Sequence, residues 1–268
     1  MAHFYLTLPS NSSAHYYPNN TLTRFTPRLE KSISLTGDWE VGLVEMQYTR
    51  SWNNLFRGEG RVHYMQSAML HGKQIFVQTH IRLPPGYYES PSVIVHHINY
   101  LIQEFAKKSE IVNFPVFSYN NITKRLHGDI SEGASLTFSP ALCLMLGVES
   151  RQNPITHYED ETLKFKSGSV CDVIRGFNSL LVYCNMLEHV LVGNTKVPLL
   201  RTIPISGRSG DNVHVSYDKP QYVPIQQKHF DSLEIDIRND VGQPVPFESG
   251  KVVITLHFRL RKIPYLLQ

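Results

Sequence analysis

The segment FDSLEIDIRND sets Asp231, Glu234, Asp236 and Asp240 within a few residues of one another. Carboxylates at that density could chelate a divalent cation, or one of them could act as a general base. The alternation around them gives a different reading. In an extended chain Leu233, Ile235 and Ile237 share one face, while Ser232, Glu234, Asp236 and Arg238 share the other. The acidic residues are then the polar side of a half-buried strand. The segment KVVITLHFRLR repeats the pattern: Val252, Ile254, Leu256, Phe258 and Leu260 point one way, and Lys251, Thr255, His257, Arg259 and Arg261 the other. The link between them, NDVGQPVPFESG, is long for a hairpin. It suits a crossing from one sheet of a sandwich to the other. In that arrangement the acidic and basic rows face outward from opposite sheets, each needing a separate partner. A hairpin would instead set the two rows beside each other as cross-strand pairs.

Other candidate chemistry is sparse. No phosphate-binding P-loop, HExxH, GxSxG or GxGxxG pattern occurs in a strand–helix context. RGEGR (57–61) and SGRSGD (206–211) are glycine-rich, but neither lies between a strand and a helix, and both read as tight turns. The chain has 13 histidines. His96 and His97 are adjacent on a helical pattern and diverge by about 100°. His63, His80, His214 and His257 lie in alternating strands without a carboxylate at ligand spacing. The expectation is no metal and no cofactor. The three cysteines, Cys143, Cys171 and Cys184, sit in apolar contexts and form no CxxC, so they read as buried thiols.

The elements that would position these residues are mostly strands. Short runs rich in β-branched and aromatic residues recur between Gly, Pro, Asn and Asp clusters, the mark of an all-β sandwich or barrel. One amphipathic helix interrupts them: Ser90 stands at its cap position, Pro91 in its first turn, and Ile94, Ile98, Leu101, Ile102 and Phe105 on one face. His96, Asn99, Gln103 and Lys107 form its polar face, with Glu104–Lys108 as an i,i+4 pair. A shorter helix is predicted at SPALCLMLG, capped by Ser139 and ended by Gly147. FSYNNITKRLHG reads as a hairpin turning at Asn120–Asn121. These features predict a single domain, 1–268, with an N-terminal arm or surface loop at about 9–20 and a helix-containing α+β insertion at about 84–150.

Bulk properties agree with a folded globular chain: 268 residues, 18% charged, 11% aromatic, net charge +3. No basic run exceeds two residues, which argues against a specific nucleic-acid surface, and no apolar run reaches membrane-span length. The opening residues lack a secretory leader pattern, so intracellular synthesis is expected.

FYLTLPSNSS, YYPNNTLTRFTPRL and GDWEVGLVEMQY, with LPPGYYES, SPALCLMLG, VYCNMLEHVLVGNTKVPLLRTIPI and the acidic–basic C-terminal pair of strands, resemble the minor capsid (penton) proteins of Polinton/Maverick elements and adintoviruses. The resemblance runs through most of the chain. One departure is local: Thr49 follows Tyr48 where the family usually carries proline. The resemblance implies a single jelly-roll β-sandwich that forms homopentamers at the five-fold vertices of an icosahedral capsid. A double jelly-roll major capsid protein would surround it. It implies a structural virion protein, with no enzymatic activity and a location in the virion after intracellular assembly. Glu234, Asp236, Arg259 and Arg261 are candidate subunit-contact residues, because the core does not need them. Two other readings of a jelly roll stay open at this point. One is a carbohydrate-type binding module with Trp52, Tyr87 and Tyr88 as stacking residues; the other is a cupin-like metal enzyme.

Overall fold

Every second side chain of Val252–Leu260 is buried from Val252 to Phe258, so the alternation read in the sequence is the alternation of the fold. The computed structural model describes residues 3–70, 73–156, 164–175 and 177–261. The described residues form two compact units. One runs up to Trp52 and resumes at Phe177, and the other spans the residues between.

Four strands precede the interruption: β1 (His3–Pro9), β2 (Arg24–Phe25), β3 (Arg28–Ser34) and β4 (Trp39–Thr49). The intervening unit holds β5 (Arg61–Leu70), β6 (Lys73–Arg82), α1 (Pro91–Lys108), β7 (Val116–Asn120) and β8 (Arg125–Asp129). It continues with β9 (Ala134–Phe138), α2 (Pro140–Leu146), β10 (Ile155–Thr156) and β11 (Phe165–Lys166). The first unit then resumes with β12 (Ser179–Cys184), β13 (Val190–Val192), β14 (Thr195–Val197), β15 (Leu199–Pro204) and β16 (Asn212–Ser216). It closes with β17 (Tyr222–Pro224), β18 (His229–Ser232), β19 (Ile235–Asn239) and β20 (Val252–Leu260).

In the first unit one sheet has the order β1-β20-β4, with β16 and β17 sharing the free edge of β4. The other has the order β15-β12-β19-β2, and β18 pairs with β3 beside it. All pairs are antiparallel. The chain crosses repeatedly between the sheets, from β1 to β2, from β15 to β16 and from β19 to β20, as in a single jelly roll. Val41, Leu43, Met46, Ile254, Leu256 and Phe258 from one sheet and Leu180, Val182, Cys184, Ile235 and Ile237 from the other join in one buried cluster. Each fully buried aliphatic side chain contributes about 1.5–3 kcal/mol by leaving water, so the facing rows hold the two sheets together.

β19 and β20 therefore belong to opposite sheets, and NDVGQPVPFESG is the link that crosses between them. Leu260 departs from the predicted inward row and is exposed, because the alternation ends where β20 leaves the core opposite Trp39. Residues 10–20 are a chain of turns. Ser10 exchanges hydrogen bonds with Val252, the Ser13 hydroxyl accepts from Arg28 N–H, and Asn20 bonds both backbone groups of Thr26. They form a fastened surface loop, not an extended arm. At Thr49 β4 keeps pairing with Asn212, and the two side chains bond at 2.8 Å.

The second unit is wider than the 84–150 expected from sequence, running from Asn53 to Gly176. The reason is pairing: β5 and β6, which look like sandwich strands by composition, join β9 and β10 in the sheet β10-β9-β5-β6. A second sheet, β11-β8-β7, and the two helices complete this unit around its own core, including Tyr64, Ile94, Ile98, Leu126, Leu136 and Phe138. α1 forms as predicted, but Ser90 makes no side-chain cap bond, and Glu104 meets Lys107, not Lys108. Asn99, expected on the polar face, clamps both backbone groups of Phe117 at 2.7 and 2.9 Å and ties the helix to β7. α2 ends at Gly147 in the left-handed conformation, as expected. The β7–β8 turn is a four-residue loop, 121–124, closed by the Asn120 carboxamide oxygen on Ile122 and Thr123 N–H.

Candidate functional site

The outer faces of the jelly roll are where the predicted charged rows lie. Glu234 leads into β19 and accepts from Arg24 at 3.0 Å; Asp236 accepts from Arg238 at 2.8 Å. On the opposite sheet Arg259 donates to Glu40 at 2.6 Å across the β20–β4 pair, and its guanidinium lies 3.4 Å from the Tyr222 ring centroid. Arg261 is exposed, just past β20; its backbone N–H bonds Asp38 and its side chain has no partner among the described residues. The rows are outward, on opposite sheets. Three of the four residues hold an opposite charge on their own sheet. Arg24 and Glu40 could not be foreseen as those partners, since they are separated from Glu234 and Arg259 by 210 and 219 positions.

Around Arg259 the sheet carries a cluster of rings. Tyr5 stacks on His257 with centroids 4.4 Å apart, His3 meets His257 edge-on at 5.3 Å, and the Tyr222 hydroxyl bonds His257 Nδ1 at 2.7 Å. The Nε2 of His257 is buried with no hydrogen-bond partner among the described residues. Burial, reinforced by His3 and Arg259, pushes the His257 pKa down, so the neutral ring is favoured. Tyr5 remains 57% exposed, which leaves an aromatic surface beside the ion pair.

On the other sheet a groove of about 470 Å³ runs beside the β13–β14 hairpin. Tyr183, Asn185, Glu234, Asp236 and Arg238 line it from the sheet, and Val192 and Val197 from the hairpin. This hairpin was not among the elements expected from the sequence. The signal was Gly193–Asn194 between alternating runs; Gly193 adopts φ +59, which hairpin turns require and glycine supplies without strain.

The remaining chemically capable residues are placed in the cores or apart. Cys184 is fully buried and its thiol is pushed up to about 12; burial likewise raises Cys171 to about 11 and raises Cys143. All three are free thiols, and none has the lowered pKa of a nucleophile. Of the three proposed stacking residues of a carbohydrate module, Trp52 and Tyr88 are 4% and 7% exposed and Tyr87 is half-buried. Trp52 packs against Phe177 and Phe247, and Tyr88 bonds Pro84 and Asn54. Neither offers a ring face to a sugar. Among the described residues no group of three or more His, Cys, Asp or Glu is placed to hold a metal, and no helix is long and apolar enough to cross a membrane.

The fold thus defines a class: a single jelly-roll β-sandwich that carries a large α+β unit between its β4 and β12 strands. No family model matches the chain, and no curated protein matches it in sequence. Among solved structures it is similar to the crystal structure of the mavirus penton protein, with a TM-score of 0.52 and 10% identity, over 96% of this chain and 99% of that one. The cryo-EM structure of the Sputnik virophage at 3.5 Å matches with a TM-score of 0.49 and 9% identity, over 97% of this chain and 98% of that one. At these identities the likeness is one of fold.

Proposed function

We propose that this chain is a structural virion protein: the penton, or minor capsid, subunit that forms homopentamers at the five-fold vertices of an icosahedral capsid. The observation that carries the reading is the fold. The two-sheet jelly roll with its inserted unit matches a penton protein over nearly the full length of both chains. The sequence resemblance to Polinton/Maverick and adintovirus pentons, which spans both ends of the jelly roll, supports the same reading and suggests that lineage.

Function on this reading is assembly. A ring of five closes through a heterologous contact, one surface patch of each copy meeting a different patch on the next. Permanent contacts of this kind commonly bury about 2,000 Å² or more. The sandwich supplies rigid walls, and a double jelly-roll major capsid protein is the expected neighbour. Within the candidate row, Arg261 is the residue most available for a contact, because Glu234, Asp236 and Arg259 already hold charges of their own sheet. The test is mass measurement of the purified chain combined with negative-stain imaging. Five-fold rings are expected. A chain that stays monomeric at high concentration, both alone and mixed with its major capsid protein, overturns the proposal.

A further inference from the structure

The second unit brings together three arginines that the sequence scatters. Arg61 and Arg82 are direct cross-strand partners at the start of β5 and the end of β6. Arg57, from the glycine-rich RGEGR turn, lines the same pocket of about 460 Å³ with them, closed by Gly58, Gly60 and Leu83-Pro84-Pro85. None of the three guanidinium groups has an ion-pair or hydrogen-bond partner among the described residues, and all three residues are exposed. The one carboxylate of the turn, Glu59, is directed elsewhere. It is held by Arg175 at 2.7 Å and by Phe56 N–H at 3.0 Å.

Like charges directly opposite each other on an antiparallel pair destabilise it, so an arginine pair with no counter-charge calls for one from outside. The rest of the face points the same way. Next along the ribbon His63 and His80 are paired and stacked, with centroids 4.6 Å apart, followed by Met65 opposite Gln78. β9 adds Ser135 and Thr137 at the same register. Among the described residues this sheet face carries no carboxylate at all. The turn geometry favours the same ligand: Gly58 has φ +85, and a Cβ on Gly60 would come within 2.9 Å of Leu55 and Leu83. Gly58 supplies the positive φ of the turn and Gly60 lets it lie close against Leu55 and Leu83, with Arg57 lining the same pocket as the pair.

From this arrangement we infer that the second unit binds a multiply charged oxyanion, of the sulfate- or phosphate-ester class, through Arg57, Arg61 and Arg82. Guanidinium forks bond tetrahedral oxyanions through two parallel N–H groups, and three of them exceed what a single carboxylate would neutralise. No aromatic ring lines the pocket, so a nucleic-acid base has no stacking platform, and the ligand is recognised by its anionic group alone.

The test uses the full chain and a variant carrying Arg57→Ser, Arg61→Thr and Arg82→Thr. Thermal unfolding is followed in inorganic sulfate, inorganic phosphate or chloride at equal ionic strength. Sulfate or phosphate is expected to raise the melting temperature of the wild type above chloride and to leave the variant unchanged. Without oxyanion the variant melts no lower than the wild type, since it relieves a like-charge pair; a drop would mark the arginines as structural and refute the inference. A labelled sulfated oligosaccharide should bind the wild type at low salt and the variant at least about tenfold more weakly. Arg208→Ser, an exposed arginine of the jelly roll, should bind as the wild type does. Equal binding by wild type and triple variant overturns the inference, as does the absence of any sulfate or phosphate effect on the wild type. A single-stranded oligonucleotide of equal charge that binds much more tightly than the oligosaccharide would overturn recognition by the anionic group alone.

Discussion

Arg259 and Arg261 look equivalent in the sequence, two outward cations on one strand face, and the structure makes them opposites. Replacing Arg259 with alanine removes its bond to Glu40 and the guanidinium over Tyr222. The Arg259 side chain is 42% exposed, so the ion pair is discounted to a surface value of about 0.2–1 kcal/mol. The cation–π contact adds about 0.5–1 kcal/mol. Glu40 is only 13% exposed, and leaving its carboxylate without a charged partner costs a further ~1 kcal/mol or more. The sum is about 2–3 kcal/mol, a fall of about 4–12 °C in the melting temperature for a chain of this size. Arg261→Ala removes a side chain with no partner among the described residues, and should fall within about 0.5 kcal/mol of wild type. Thermal and urea unfolding of both variants, with Glu40→Gln to close a double-mutant cycle, measure the difference. Oligomer mass measured on the same samples should show the reverse order: Arg261→Glu weakens association and leaves the melting temperature in place. Equal stabilities for the two alanine variants, or a coupling between Arg259 and Glu40 near zero, would refute the assignment of Arg259 to the fold.

Three further outcomes follow from single positions. Gly147→Ala should destabilise the second unit by several kcal/mol, measured by urea unfolding, because φ is +68 and the added Cβ would lie 2.2 Å from the Ser169 carbonyl oxygen. Native protein treated with iodoacetamide at pH 8 should leave Cys184 unmodified by mass spectrometry. Its burial and its thiol pushed up to about 12 suppress the reactive thiolate, and unfolding in denaturant should restore labelling at all three cysteines. His257 has a pKa lowered from its usual 6.5 by burial beside His3 and Arg259, so the folded state binds a proton less readily than the unfolded chain. Its contribution is intact above pH 6.5 and is lost as the pH falls below that value through the lowered one. His257→Gln should flatten that part of the stability–pH curve, and an unchanged slope would remove His257 as the cause.

The two C-terminal strands show what could be read in advance. A period of two is a property of the extended backbone itself, so Ile235, Ile237, Ile254 and Phe258 could be placed inward, and Glu234, Asp236 and Arg259 outward, without knowing any partner. The helices were legible for the same reason: the apolar stripe from Ile94 to Ile102 and the glycine stop at Gly147 are local signals. Boundaries were less so. β5 and β6 have the composition of sandwich strands, and only the pairing of β5 with β9, and of β6 with β5, assigns them to the second unit. The candidate site was half legible. Which residues face outward was given by periodicity, whereas which of them already have partners depended on strand order.

The amino-acid sequence alone thus determined that the chain is an all-β sandwich with a helix-bearing insertion, and that the acidic run around Asp236 is a strand face. Its long link suited a crossing to the other sheet, and the strand order decided it against a hairpin. Pairing across more than two hundred positions decided the rest. It gave Glu234 to Arg24 and Arg259 to Glu40 and left Arg261 without a side-chain partner among the described residues, while the shorter-range β5–β6 pairing set Arg61 against Arg82 with no counter-charge among them. The physical reason is that periodicity is written in neighbouring residues. The register between distant strands is fixed only when their buried faces close on a common core.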